Sequence, residues 1–229
     1  RRRGVAGAQV SFDALPHNYL TWTESAVSLS YFLRYNIYRR ESGTTAWVRL
    51  KVISDRALTF YQDYTAESDV LYEYAVTQVQ SINGEEIESD FPTPVTVTLV
   101  LLNVFLHDVA APEHYVQVKA RALDVTPEQD IAYVIPWGRN KPTAHIGNKL
   151  TSVLSLDVYR DWETELDDVW EELQNLQARQ RENGAVICAR QRLKVRHFTQ
   201  IESIERGHRV GQLTRITIRL REVNYDEEV

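Results

Sequence analysis

Apolar and polar residues alternate along the first hundred positions of the chain, which is the pattern of β-strands. In the clearest run, Tyr72, Tyr74 and Val76 share one face, and the residues between them take the other. Shorter runs of the same kind predict further strands at residues 35–39, 47–50, 58–61 and 95–99. Turn signals such as Asn83-Gly84 separate the runs, so residues 19–99 are predicted to form a β-sandwich of about seven strands.

The second half of the chain also predicts strands, at residues 104–106, 115–121, 131–135, 143–146, 150–158, 185–189, 195–205 and 213–223. Pro112 and Thr126-Pro127-Glu128 are interpreted as the breaks between the first three. We expect residues 100–229 to form a second domain, an α+β fold in which strands dominate. Residues 1–18 precede the sandwich as an N-terminal extension.

A single amphipathic helix is predicted at residues 162–182. Its apolar residues recur every three or four positions and form one stripe, which consists of Trp162, Leu166, Val169, Trp170, Leu173 and Leu176. Asp161 is a suitable N-cap, and Asn183-Gly184 is a suitable stop. The predicted fold class is therefore mainly β with one helix.

The predicted helix and the last predicted strand carry charges of opposite sign. The outward side of the helix forms an acidic face of Asp167, Asp168, Glu171 and Glu172. One side of the last strand forms an arginine face of Arg215, Arg219 and Arg221. The acidic face is either a solvated surface or a docking surface for a basic neighbour. Because a monomer gains nothing in particular from three aligned arginines, we predict that both faces lie at a boundary between subunits.

The composition excludes several classes of protein. A hydrophobic fraction of 43% and a charged fraction of 25% in 229 residues are those of a soluble globular protein. The net charge of -6 argues against contact with nucleic acid, although Arg1-Arg2-Arg3 and the run Arg190–Arg196 are local basic clusters. Polar residues interrupt the longest apolar run, so no membrane span is expected. No apolar h-region follows Arg1-Arg2-Arg3, so no secretory signal is expected. The lack of any methionine and the start at Arg1-Arg2-Arg3 suggest an internal stretch of a longer polypeptide.

No catalytic template matches the sequence, so an enzyme is not expected. The chain has no Gly-x-Ser-x-Gly motif and no Gly-rich phosphate loop. His107 and His114 form only a weak metal-ligand pattern, and Cys188 is predicted to be a buried, inert thiol. We therefore predict no catalytic residue, no cofactor and no metal ligand.

The first domain resembles a fibronectin type III domain. The residues that carry the resemblance follow in the expected order: Trp22, Tyr35-x-Ile37-Tyr38, Phe60-x-x-Asp63-Tyr64, Leu71-Tyr72-x-Tyr74-x-Val76 and Asn83-Gly84-Glu85. The resemblance implies that the hydroxyl of Tyr72 bonds to nearby backbone. We interpret Trp22, Tyr72 and Tyr74 as core residues and not as a binding site.

The second domain resembles the C-terminal region of minor tail proteins of long-tailed bacteriophages. The resemblance is carried by the segment Lys141–Gly147, the helix, the segment Val186–Arg190 and the final strand that ends at Val223. It implies a β-barrel-like domain in a structural subunit of the tail tip or baseplate, which assembles as a ring around the tail axis. The implied partners are copies of the chain and other tail proteins, in a virion assembled in the host cytoplasm.

A second interpretation is a carbohydrate- or cell-wall-binding module of a secreted bacterial protein. Exposed aromatic side chains bind sugars by stacking on the sugar rings. Trp137, in the loop Pro136-Trp137-Gly138, is the best candidate for such a contact.

Overall fold

A computed structural model describes residues 5–11, 15–118, 124–134, 143–160, 163–208 and 214–227. Over these ranges the chain forms fifteen β-strands and one α-helix, which confirms the mainly β fold class with one helix. The chain divides into two compact units. Unit 1 comprises Arg1–Leu102, Gln191–Arg196 and Tyr225–Val229, and unit 2 comprises Asn103–Arg190 and His197–Asn224.

Unit 1 contains two antiparallel sheets. Their strands are β1 Val5–Ser11, β2 His17–Trp22, β3 Phe32–Glu41, β4 Val48–Ile53, β5 Phe60–Asp63, β6 Leu71–Ile82, β7 Glu85–Glu88 and β8 Val95–Thr98. One sheet has the order β1-β2-β5, and the other has the order β4-β3-β6-β7 with β8 also paired to β6. Trp22 of β2 and Tyr35 of β3 are buried with their ring centroids 5.5 Å apart, so the two sheets share a core.

Unit 1 differs from the predicted sandwich in its boundaries. Residues assigned to an N-terminal extension include β1, which pairs along β2 from Val5↔Trp22 to Ser11↔His17. Small residues in Val5–Ser11 give no period-two pattern, so alternation does not reveal this strand. The segments Gln191–Arg196 and Tyr225–Val229 also belong to unit 1, although they are distant in sequence.

The aromatic residues Trp22, Tyr72 and Tyr74 are buried, as predicted for core positions. The implied bond from the Tyr72 hydroxyl to backbone is not among the hydrogen bonds of the described residues. The ring of Tyr72 instead lies under the Arg39 guanidinium, 4.7 Å from the ring centroid. It is the hydroxyl of Tyr74 that is anchored, by donation to Asp63 Oδ2 at 2.6 Å.

The predicted turn at Asn83-Gly84 joins β6 to β7. Both residues have positive φ angles, 55° for Asn83 and 87° for Gly84. Such angles at both central positions match a two-residue hairpin turn, in which Asn followed by Gly is favoured. A Cβ atom added at Gly84 meets nothing within 4 Å, so the need for glycine there comes from the backbone alone.

We expect Gly84→Ala to destabilise unit 1 by about 1 kcal/mol, because a residue with a Cβ atom is strained at positive φ. Urea denaturation measures the change. Gly207→Ala in unit 2 is the control for the added methyl group and is expected to leave the stability of unit 1 unchanged, since Gly207 lies in a strand and is not among the described residues with positive φ. An equal loss of stability in both variants would show that the turn conformation is not the cause.

Unit 2 is built on a sheet of seven strands covered by one helix. Its elements are β9 Val104–Asp108, β10 Tyr115–Val118, β11 Asp124–Val134, β12 Thr143–Arg160, α1 Glu163–Asn183, β13 Ile187–Gln191, β14 Val195–His208 and β15 Thr214–Glu222. The last residue of β13 and the first two residues of β14 belong to unit 1. The strand order is β10-β9-β13-β14-β15-β12-β11. Val169, Leu173 and Leu176 of α1 are buried in one cluster with apolar residues of the sheet. The helix therefore covers one face of the sheet, within a residue of its predicted bounds.

Three details of unit 2 differ from the sequence prediction. The strands predicted at 143–146 and 150–158 form one strand, β12. Pro127 lies inside β11 and not between strands. The sheet order places β11 at an edge, and proline is tolerated in edge strands because an N–H on the open side has no partner strand. No described pairing joins the edge strands β10 and β11 as a closed barrel requires, so the described sheet is open.

The one described helix, α1, is not apolar enough over a sufficient length to cross a lipid bilayer.

Candidate functional site

The acidic face predicted on the helix is present on the exposed surface of α1. Asp167, Asp168, Glu171 and Glu172 are all exposed. Asp167 forms an ion pair with Arg206 of β14 at 2.7 Å. Among the described residues, no basic side chain lies within ion-pair distance of the other three carboxylates. Partial burial, and then the charge of Asp168, raise the pKa of Glu172, which shows that negative charge is concentrated on this surface.

The arginine face is also present, on the opposite side of the sheet from α1. Ile216, Ile218 and Leu220 of β15 are buried in the cluster that contains the helix residues. The alternate positions point the other way, and Arg215 and Arg219 are exposed there. The acidic face and the arginine face therefore lie on opposite sides of unit 2, and the structure does not bring them together within one copy.

Neighbouring strands neutralise two of the three arginines. Arg215 donates to both carboxylate oxygens of Asp157 on β12, at 2.9 and 2.5 Å. Arg221 pairs with Glu202 on β14. The expectation that a monomer has no use for these arginines is therefore wrong for Arg215 and Arg221. Alternation within one strand shows which residues share a face, but it does not show which charges the adjacent strands supply.

Arg219 is the member of the arginine face that keeps an available charge. It is exposed, and in the sheet register it lies between Ser155 and Ser203. Within the described ranges, no carboxylate approaches Arg219 to ion-pair distance. Of the two predicted faces, the charges that keep no ion-pair partner among the described residues are thus Arg219 on one side of unit 2 and Asp168, Glu171 and Glu172 on the other.

Trp137 falls within residues 135–142, which lie outside the described residues. The carbohydrate-binding interpretation depends on this side chain and receives no support from the described structure.

Sequence reasoning missed a buried charge cluster in unit 1. Arg39 of β3 is 4% exposed, and Asp63 at the end of β5 is fully buried. Arg39 Nη1 donates to Asp63 Oδ2 at 2.8 Å and to Thr65 Oγ1 at 3.0 Å. The Tyr74 hydroxyl donates to the same Asp63 oxygen, and Asn18 Nδ2 donates to that hydroxyl at 2.9 Å. A buried ion pair is held in place by neutral groups on β2, on β6 and in the segment after β5.

The protonation states in this cluster follow from its contacts. Burial alone would raise the pKa of Asp63, but the Arg39 charge and the hydrogen bonds from Tyr74, Arg39 and the Thr65 N–H lower that pKa to about 2. Burial, and then the Asp63 charge, raise the pKa of Tyr74 well above its ordinary value. Asp63 is therefore ionised and Tyr74 is neutral at physiological pH.

Glu227, near the C-terminus, completes the cluster. Its two carboxylate oxygens accept hydrogen bonds from Arg39 Nη2 at 3.1 and 2.9 Å. They also accept from Arg196 Nη1, both at 2.9 Å. Two arginines that are 157 positions apart in the sequence therefore converge on one carboxylate group.

Three basic residues of the run Arg190–Arg196 are buried or paired with a carboxylate. Arg190 is fully buried. Lys194 lies 3.5 Å from Glu41, and Arg196 forms an ion pair with Glu67 at 3.1 Å. Lys194 and Arg196 therefore each have a carboxylate partner within unit 1.

A groove with a volume of about 650 Å³ lies beside the sandwich core of unit 1, next to Trp22 and Tyr35. Three of the polar side chains that face it, Ser25, Tyr35 and Gln78, bond to one another or to nearby backbone. The Ser25 hydroxyl donates to Gln78 Oε1 at 2.6 Å, and the Tyr35 hydroxyl accepts from Ser25 N at 2.7 Å and donates to Arg56 O at 3.1 Å. Nothing in these contacts identifies a ligand.

The described residues contain no group of three His, Cys, Asp or Glu side chains arranged to hold a metal ion. His107 is buried in unit 2, whereas the side chain of His114 is 44% exposed. Cys188 is fully buried, as predicted.

Comparison with known proteins adds no further identification. No protein-family model matches this chain, and a search of curated proteins found no match. The resemblances to fibronectin type III domains and to phage tail proteins therefore stay predictions from the sequence.

Proposed function

We propose that the chain is a structural subunit of a phage tail tip or baseplate, which assembles as a ring around the tail axis through unit 2. The supporting observation is the placement of available charge on opposite sides of this unit. The carboxylates of the acidic face lie beyond the helix, and Arg219 lies on the uncovered side of the sheet.

A ring of identical subunits needs two different complementary surfaces on each copy, because each copy meets one neighbour on each side. Opposite placement allows the acidic face of one copy to dock against Arg219 of the next. The ion pairs of Arg215 and Arg221 then lie at the border of the contact, where they leave Arg219 as the central charge. Complementary charges at such a surface fix the orientation of the partner.

Two buried carboxylates favour an architectural role, because they are used to hold the fold. Asp108 is buried and pairs with Arg179 of α1 at 2.9 Å. In unit 1, Asp63 is buried against Arg39 and Tyr74. A buried carboxylate fixed by a cation in this way stabilises structure and has no free position for a reacting group.

Reversing either charge is expected to weaken association of the chain. In Arg219→Glu or Glu171→Lys, an attraction across each contact becomes a repulsion, so we expect the concentration at half-assembly to rise at least about tenfold. Native mass spectrometry over a concentration series at low salt measures this midpoint.

Two matched variants control for the change in net charge. Lys51→Glu and Glu85→Lys reverse exposed charges in unit 1 and are expected to leave the midpoint unchanged. A wild-type chain that stays monomeric throughout the series contradicts the proposal. The same conclusion follows if the control variants weaken association as much as the variants in unit 2.

A further inference from the structure

Two arginines in unit 1 are held so that their guanidinium groups converge on one carboxylate. Arg39 is fixed by Nη1, which bonds to Asp63 and Thr65. Arg196 is fixed by its ion pair with Glu67 at 3.1 Å and by donation to the Thr65 carbonyl oxygen at 3.0 Å. These anchors belong to the body of unit 1 and are independent of Glu227.

Glu227 therefore binds two arginine side chains that other residues of unit 1 also hold in position. Arg39 has Asp63 as its own counter-ion, and Arg196 has Glu67. Arg39 Nη2 and Arg196 Nη1 then point at both oxygens of the incoming carboxylate. Planar guanidinium groups oriented in advance are well suited to recognise a carboxylate, since little freedom is lost on binding.

The carboxylate that occupies this site belongs to Glu227, in the segment that follows β15. Residues 223–227 follow the last strand and contain neither helix nor strand. The side chain of Glu227 is 14% exposed, whereas that of Arg39 is 4% exposed, so the carboxylate covers the more deeply buried cation.

We propose that Arg39 and Arg196, both held by Thr65, form a carboxylate-binding site that accepts an acidic peptide from another molecule, and that the occupant is the segment of residues 223–227 of a second copy. An identical segment makes identical contacts, so exchange between copies has little intrinsic cost. The chain's own segment competes because its effective concentration at the site is high. This inference concerns unit 1 and holds whether or not α1 docks on a neighbouring sheet.

The test uses the full chain with Glu227→Ala, which empties the site, and a fluorescent peptide with the sequence of residues 224–229. We expect the variant to bind the peptide at least about tenfold more tightly than the wild-type chain, whose own carboxylate competes. Binding should weaken as salt is raised. It should be lost when the peptide carries glutamine in place of the glutamate that corresponds to Glu227, a control that leaves the protein unchanged.

Exchange between whole chains is tested by mixing Glu227→Ala with Arg196→Gln, each also carrying Arg219→Glu to weaken the contact proposed for the ring. One chain has an empty site and the other has an intact segment, so we expect a 1:1 complex that neither chain forms alone. Equal peptide binding by wild-type and Glu227→Ala chains, equal binding of the two peptides, or the absence of the 1:1 complex would overturn the inference.

Discussion

Replacing Asp63 with alanine is expected to lower the free energy of unfolding of unit 1 by about 3–5 kcal/mol, because removal of one partner leaves a buried charge poorly compensated. Arg39 is 4% exposed and would retain only the carboxylate of Glu227. Tyr74 would also lose the acceptor for its hydroxyl.

Urea denaturation followed by tryptophan fluorescence measures this loss. Glu85→Ala, which removes an exposed carboxylate from β7 of the same unit, is the matched control and is expected to change stability by less than about 0.5 kcal/mol. Tyr74→Phe removes one charge-assisted hydrogen bond and should cost about 1.5–3 kcal/mol. A loss below about 1 kcal/mol in Asp63→Ala would show that the buried pair contributes little to stability.

The pH dependence of stability provides a second measurement on Asp63. Its pKa is lowered from 3.8 to about 2 in the folded protein, so folding favours the ionised carboxyl. The stabilisation is fully present above pH 3.8 and is lost as the pH falls through about 2. Its size is about 2 kcal/mol, since a pKa difference of one between the folded and unfolded chain corresponds to about 1.4 kcal/mol. The stability difference between the wild-type chain and Asp63→Asn should therefore shrink in this range of pH.

Truncating Leu173 to alanine is expected to destabilise unit 2 by about 2–5 kcal/mol, because the side chain is fully buried between α1 and the sheet. The lost apolar contact and the cavity left behind both contribute to this cost. Gln174→Ala, at the next and exposed position of the same helix, is expected to change stability by less than about 0.5 kcal/mol.

Thermal unfolding followed by circular dichroism compares these two helix variants. A large loss in Leu173→Ala alone places α1 in the core of unit 2. If both variants unfold at the temperature of the wild-type chain, the helix does not cover the sheet.

Local sequence pattern was sufficient to predict most elements of the fold. Alternation around Tyr72 and Val76 predicted β6, and the apolar stripe that includes Val169 and Leu173 predicted α1. The sequence pattern gave a wrong prediction where pairing with a neighbouring strand determines the structure. Pro127 reads as a break, but it is tolerated because β11 pairs on one side only.

The candidate surfaces were predictable only in part, because their chemistry depends on residues that are distant in sequence. The exposure of Glu171 and Arg219 follows from helical and strand periodicity. The neutralisation of Arg215 depends on Asp157, which lies 58 positions away. In β3, Arg39 lies on the same face as the core residues Tyr35 and Ile37. Alternation along the strand is therefore sufficient to predict that Arg39 is buried. Its carboxylate partners could not be identified without the fold.

Mixing Arg219→Glu with Glu171→Lys tests most directly whether copies of this chain associate head to tail through opposite sides of unit 2. Each variant alone has one reversed surface, so each is expected to assemble poorly. In a 1:1 mixture, alternating copies place opposite charges at every contact, and native mass spectrometry should show complexes with equal numbers of the two chains. A mixture that assembles no better than either variant alone would contradict the proposed role as a ring-forming structural subunit.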